Sequence, residues 1–493
     1  MAATAEVYMP SKGPLLARLS ASLQPGRQPT TRQSPSSPRG RRRRSGLEDD
    51  EMWKVGCGIR VDAHCVAWGD ADTVHARLVR LCHFAIPGPC QTRPMATATA
   101  ARQEFRFPPE IEQFLRDNQI PLRIYDPTRQ PTVRTVRQRF DGPSIEEELQ
   151  KEVQQAEDGN LPEGTDKAPR SVSPIEWLEP LTATRFGSGP KFFSIPADTQ
   201  MSRLSSYKDG RLFGLDVSSA SAVFALLGEH GPNPGSAVLD LCCAPGTKLL
   251  MLSELCKGSR VAGVDIKRER LMVCRSLLTK YGSHDVELYH GDARDICNKP
   301  MERLTIAKKK SRGRKRQRRE SPAEALVETT TLQAGSWDYV LCDAECTHDG
   351  SVKHMLKHLE APGRDSSGVV GFWQQQDDRG HPMPWLGNLD ELESLQRGLI
   401  MAAFEALKPG GIMVYSTCSM ARRQDESIVE YLLKERDSAV LAPLPFDLYT
   451  VPCRAAMKDE ADAVCACRFD PADNDLARVD AGGLFIARIH KVL

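Results

Sequence analysis

From residue 235 onward, short apolar runs alternate with helical patterns. Residues 237–241, 260–265, 286–290, 337–343 and 412–416 are apolar stretches of strand length, and 249–256, 268–281 and 392–407 repeat apolar positions at helical spacing. Repeated strand–helix units predict a doubly wound, mostly parallel sheet with helices on both faces, an α/β, Rossmann-like domain spanning residues 231–493. Two polar stretches, 299–334 and 360–388, interrupt the pattern and read as inserts. A last pair, 463–469 and 483–490, reads as antiparallel strands closing a sheet edge.

Upstream the pattern is weaker. Residues 110–118 fit a short amphipathic helix, 131–139 (PTVRTVRQR) alternate like a β-branched strand, and 141–166 begin helical and end as an acidic linker. The stretch 177–227 closes with a helix whose start is marked by Asp216, Ser218 and Ser219. Residues 95–230 are therefore expected to form a small N-terminal α+β module with a linker. Residues 1–94 hold no lasting period and are rich in Pro, Ser, Thr and Arg up to Ser45, the composition of a disordered tail; Met95 is a plausible alternative start.

Charge changes this picture only through its distribution. The totals, 66 basic against 65 acidic residues, cancel, but Arg39 with 41–44 forms one basic run and 308–319 carries nine Lys/Arg in twelve positions. Such runs serve nuclear import, nucleic-acid contact, or neither. A nuclear or nucleolar location is the expectation, with the cytoplasm or an organelle left open. Fifteen scattered cysteines without a CxxC pair point to free thiols in a reducing compartment and to no structural zinc. No apolar run approaches ~18 residues, so no membrane-spanning helix is expected.

The candidate chemistry lies at the ends of the strands. The first is followed by DLCCAPGTK, residues 240–248, a single-glycine turn that excludes a dinucleotide GxGxxG. Gly246 would let backbone approach a ligand, and the next helix would offer free N–H groups to a carboxylate. Asp265 ends the second strand, placed to accept from two ribose hydroxyls; Asp292 follows the third, placed for an adenine amine. Each aspartate alone reads as a helix cap. Three acidic residues after three successive strands suit an adenosine without phosphates, hence S-adenosylmethionine rather than NAD or ATP.

Two cysteines follow neighbouring strands: Cys346 in CDAEC (342–346) and Cys418 in YSTCS (415–419). Cytosine C5 is a poor nucleophile until a thiolate adds at C6. That chemistry needs a cysteine, an acid near N3 and a base or second thiol for release. Cys418, Asp343 and Cys346 can fill these roles.

At these motifs the chain resembles the Sun-domain (RsmB-like) RNA cytosine-C5 methyltransferases. The resemblance runs from about Trp177 to Leu493 on DLCCAPGTK, VDIKRERL, GDAR, CDAEC, KPGG-x3-YSTCS and the terminal RFDP and GGLFIARI. YKDGRLFGLDVSSASAV is similar to the segment before the family's first strand, and PTVRTVRQR weakly to its RNA-facing module. The resemblance implies Cys418 as nucleophile, Cys346 as the cysteine assisting release, and Asp343 with Lys248 at the cytosine. It implies a cofactor site of Cys243, Ala244, Pro245, Gly246, Lys248, Asp265, Arg270, Asp292 and Asp343, S-adenosyl-L-methionine as cofactor, and a tRNA or rRNA partner with the target cytosine unpaired. Lys267 and Arg268 would assist near the ribose or the RNA.

Two departures stand out. Where the family has Pro-Cys followed by Ser-Gly, this chain has Glu345-Cys346-Thr347-His348-Asp349-Gly350. Loss of the proline is expected to free the loop, and Glu345 and Asp349 to raise the pKa of Cys346. A catalytically weak RNA-assembly factor on the same fold is the first rival reading. A methyltransferase acting on an amine is the second, although the (Asp/Asn)-Pro-Pro-(Tyr/Phe) loop of such enzymes is absent.

Overall fold

Two sheets organise the described residues, which in the computed structural model are 106–126, 133–156, 171–178, 191–228, 231–306, 328–358, 383, 385–446, 448, 451–471 and 481–493. The tail 1–94 and the tract 308–319 lie outside them.

The first elements are α1 (Pro109–Asp117), β1 (Val133–Gln138), α2 (Glu146–Gln155), β2 (Ser173–Pro174), β3 (Phe192–Pro196) and β4 (Leu212–Gly214). The strands form an antiparallel sheet in the order β2-β3-β1-β4. Period-two alternation divides β1 between two environments. Val136 packs with Phe193, Ile195 and Leu212 against Leu149 and Val153 of α2. Arg137 is fully buried and stacks on Phe140 and Phe213, its guanidinium 4.3 and 3.8 Å from the ring centroids.

The chain continues through α3 (Val217–Leu227), β5 (Ala237–Leu241), α4 (Thr247–Leu255), β6 (Arg260–Asp265), α5 (Arg268–Tyr281), β7 (Glu287–His290), β8 (Met301–Leu304), β9 (Thr329–Thr330), β10 (Trp337–Asp343), α6 (Leu389–Ala406), β11 (Leu407–Thr417), α7 (Glu426–Glu435), β12 (Ala439–Leu441), β13 (Arg454–Lys458), β14 (Val464–Phe469) and β15 (Leu484–Lys491). The large sheet runs β13-β14-β15-β11-β10-β5-β6-β7-β8-β9, with β12 also on β15. Its centre, β11-β10-β5-β6-β7, is parallel, and antiparallel strands extend both flanks. The doubly wound expectation holds. The first polar insert is not all loop, since β8 and β9 come from it.

The central strands are apolar throughout because both faces are covered. Val238, Leu341 and Val414 point to the core shared with α3, α4 and α5. Leu239, Val340 and Met413 point to the core under α6 and α7.

The described residues fall in one compact unit, so the division expected at residue 230 is not a structural break among them. The physical reason is threefold. α3 is buried all round in the main core. Arg137 of the small sheet pairs at 2.9 Å with Glu254 of α4. Residues 107–125 pack not on the small sheet but on Met355, Met383 and Ala421. Losing one partner of a buried pair such as Arg137–Glu254 costs about 3–5 kcal/mol.

Candidate active site

The carboxyl ends of β5, β6, β10 and β11 meet at one rim, where the strand order reverses direction between β5 and β10. After β5 the backbone takes positive φ at Cys242 (62°) and Gly246 (104°). Gly246 is needed for a reason the sequence did not suggest. A Cβ there would stand 2.6 Å from Sγ of Cys274, so glycine also seats α4 against α5. Cys243 likewise turns its side chain into the core, leaving only its backbone for a cofactor. Ala244 and Pro245 do lie in the turn.

Asp265 is buried and stitches this turn. Oδ2 accepts from the Ala244 N–H at 3.1 Å and Oδ1 from the Lys267 N–H at 2.9 Å, which leaves a lone pair on each oxygen for a ribose. Arg270 donates to the Ala244 carbonyl at 2.6 Å and to Glu345 at 3.4 Å, joining the cofactor turn to the cysteine loop. Asp292 takes the capping role: it accepts from the Arg294 backbone and is gripped by the Arg294 guanidinium, which holds its carboxyl below the usual range. Arg268 pairs with Glu302.

Asp240 was not assigned a role from sequence, although it opens the DLCCAPGTK motif. It is buried, neither of its oxygens has a hydrogen-bond partner, and burial followed by the nearby Asp343 carboxylate pushes its pKa well up. An unpartnered buried carboxyl is costly unless a ligand completes it. With Asp265 at the end of the next strand, this donor set fits a ligand bearing an ammonium and a ribose, as S-adenosylmethionine does.

β10 and β11 are in parallel register with Asp343 opposite Ser416. One Asp343 oxygen accepts from Ser416 Oγ at 2.7 Å and the other from Lys248 Nζ at 2.8 Å. Burial opposes the charge on Lys248, but Asp343 outweighs it and the ammonium is held above its ordinary range. Beyond these strands Sγ of Cys346 and Sγ of Cys418 lie 3.3 Å apart. Cys346 is fully buried, whereas Cys418 is half-buried. The structure therefore brings Lys248, Asp343, Cys346 and Cys418 together at one rim.

The rise expected for the Cys346 pKa is present, but its causes differ. Burial comes first and Cys418 second, while His348 opposes. Asp349 faces away into a buried network, accepting from Thr347 Oγ1, from Ser419 Oγ at 2.8 Å and from the Met420 N–H at 2.7 Å. Thr347 is pinned further by Gln424, and Tyr125 donates to the Asp349 carbonyl at 2.7 Å. The expected freeing of this loop is thus corrected: side-chain hydrogen bonds replace the constraint that a proline ring would give. His348, noted in the sequence only as a departure, stands with Nδ1 2.9 Å from Cys418 Sγ. A cleft of about 740 Å³ between α1 and the start of α6 reaches Gln424 but does not include the cysteines.

A parallel sheet with acidic residues closing β5, β6 and β10 around a single-glycine turn defines the class I, Rossmann-like methyltransferase fold. Residues 386–479 match the family described as 16S rRNA methyltransferase RsmB/F, and 238–303 match a general methyltransferase domain. Over these residues the chain is similar to the RsmB/F, or Sun-domain, family. Ribosomal RNA small subunit methyltransferase F of Pectobacterium carotovorum is 25% identical over 328 residues, covering 65% of this chain and 53% of that protein. The tRNA (cytosine(49)-C(5))-methyltransferase of Pyrococcus abyssi is 25% identical over 325 residues, covering 64% of this chain and 80% of that one. A solved methyltransferase homologue from Pyrococcus horikoshii is 20% identical with a TM-score of 0.47, covering 78% of this chain and 99% of its own. The chain spans about half the length of the bacterial relatives it matches.

Proposed function

We propose that this protein methylates C5 of cytosine in RNA, with Cys418 as nucleophile and Cys346 assisting release. The observation that carries this reading is the pair of thiols 3.3 Å apart at the ends of β10 and β11, beside the Lys248–Asp343 pair. Among the described residues no helix is long and apolar enough to cross a membrane.

Cys418, the more exposed sulfur, adds to C6 of the ring. Lys248 and Asp343 face the developing charge at N3, where a positioned proton donor is worth about 10²–10⁴ in rate. Bound S-adenosylmethionine supplies the methyl group to the activated C5. Asp265 would orient its ribose, Asp240 would offer its unpartnered carboxyl to the ammonium end, and Asp292 would lie on the adenine side. Loss of the C5 proton then lets the bond from Cys418 to C6 break and the thiolate leave, with Cys346 assisting that release. The target base must leave any stack to reach Cys418, so unpaired or loop cytosines are the natural substrates.

The names of the relatives support tRNA and rRNA alike as substrate classes. The tract 308–319 suits contact with RNA phosphates, and with the run near residue 41 it supports a nuclear or nucleolar location. The test is incubation of the full chain with RNA containing 5-azacytosine. A covalent adduct that requires Cys418 supports the reading; cofactor binding without any adduct or methyl transfer points to the assembly-factor reading instead.

A further inference from the structure

The two departures from the family pattern, Glu345 and His348, meet each other at the nucleophile. Nδ1 of His348 lies 2.9 Å from Cys418 Sγ and 3.7 Å from Cys346 Sγ. Its other ring nitrogen, Nε2, faces Glu345 Oε1 at 4.0 Å. Glu345 is itself held from two sides, by Arg270 at its carboxylate and by Gln396 at its backbone carbonyl, 2.8 Å away. We propose that Cys418, His348 and Glu345 form a nucleophile–base–carboxylate relay in which His348 takes the thiol proton of Cys418 and Glu345 orients the imidazole. This deepens the methyltransferase reading and rests on it for the identity of the electrophile.

The step is one proton transfer. Neutral His348 carries its proton on Nε2, toward Glu345, and presents the Nδ1 lone pair to Cys418; transfer leaves a thiolate beside an imidazolium. A nucleophile in hydrogen-bond reach of a base, with a third group orienting that base, is the arrangement that activates weak nucleophiles. The 4.0 Å gap at Glu345 is ion-pair range, and such contacts tighten when substrate binds. His348 touches the reacting sulfur and is a catalytic residue; Glu345 acts through it and is a positioning residue.

The backbone agrees with a selected side chain. His348 has φ 58°, in the left-handed region where the family pattern has glycine, and strained positions of this kind gather at functional sites. The groups facing the ring are Cys346, Cys418, Glu345, Arg270 from α5 and the His354 ring at 5.8 Å, with Lys248 beyond Cys418. Burial would lower the imidazole pKa, but Cys346 and Glu345 outweigh it and raise it to about 9, with Arg270 opposing. Of the two sulfurs, Cys418 is the nearer to His348 Nδ1.

The test is the rate of alkylation of Cys418 against pH, read by peptide mass in the full chain, without RNA or cofactor and with EDTA present. An unpaired cysteine is only a few per cent thiolate at pH 7, so His348→Gly is expected to slow alkylation there about tenfold and to move its midpoint up by about one pH unit. Added imidazole should restore part of the rate, and Glu345→Gln should give a smaller upward shift. Unchanged rate and midpoint in His348→Gly would overturn the relay. Should that variant fail to fold, an unchanged midpoint in Glu345→Gln does so. Neither result depends on RNA methylation, so failure of the relay and failure of the functional reading remain distinct.

Discussion

The Gly483 N–H donates to the Gly350 carbonyl at 2.9 Å, and the Gly350 N–H donates to the carbonyl of Cys418 at the same distance. The terminal GGLFIARI segment therefore props Cys418 from behind. A Cβ on Gly483 would lie 2.6 Å from the Gly350 oxygen, a backbone atom that cannot swing aside. Gly483→Ala should cost about 1–3 kcal/mol, visible as a lowered Tm, and should slow adduct formation by displacing Cys418. Wild-type Tm and adduct rate would show that the contact is dispensable.

Arg468 of the RFDP motif has a comparable supporting part. Its guanidinium reaches Asp425 at 2.8 Å and Glu426 at 2.9 Å, both buried, and Thr417 donates to Asp425 directly before Cys418. Arg468→Met leaves two buried carboxylates unpaired and should cost about 3–5 kcal/mol. The pH sign follows from burial. Burial already holds the Asp425 carboxyl up at about 8 with Arg468 in place, and removing the cation raises it further, so the extra loss of stability in the variant grows as pH rises past 8 and is smallest below it. Urea melts at several pH values measure this; equal destabilisation at all pH values would contradict it.

Lys248 depends on Asp343 to offset its own burial. In Asp343→Asn the ammonium should lose its proton at lower pH, moving the alkaline limb of the methylation profile down. Turnover should fall by about 10²-fold or more as the group facing N3 is lost, with cofactor affinity changing less. A profile with an unmoved alkaline limb would separate Lys248 from the chemistry.

Sulfurs 3.3 Å apart stand near the separation, about 2.05 Å, of a disulfide. Oxidation of both thiols by glutathione disulfide, with release of two glutathiones, should link Cys346 to Cys418 and abolish methylation until dithiothreitol is added. Peptide mapping checks the pairing, and loss of activity without that linked peptide would point to another cysteine.

Much of this architecture was legible from alternating apolar runs. Residues 237–241, 260–265, 268–281 and 337–343 are read with the same limits that the structure gives, because buried central strands and their covering helices are dictated by hydrophobic period. β8 and β9 were hidden in a polar insert, since edge strands need little apolar content. The positions of Cys346, Cys418, Asp343, Lys248 and Asp265 at one rim were also legible, because that rim follows from parallel strand order. The docking of Tyr125 on the loop, the aim of Asp349 and the approach of His348 were not. Each is set by contacts between distant segments, over which local sequence has no authority.

The central claim is the two-cysteine mechanism, and one experiment addresses it most directly. Wild type, Cys418→Ala and Cys346→Ala would be incubated with total RNA and methyl-labelled S-adenosylmethionine, then assayed for 5-methylcytidine by mass and for RNA adducts on a denaturing gel. The account predicts methylation by wild type, neither product nor adduct with Cys418→Ala, and an accumulating adduct with Cys346→Ala. Methylation that survives Cys418→Ala, or label on a base other than cytosine, would contradict it.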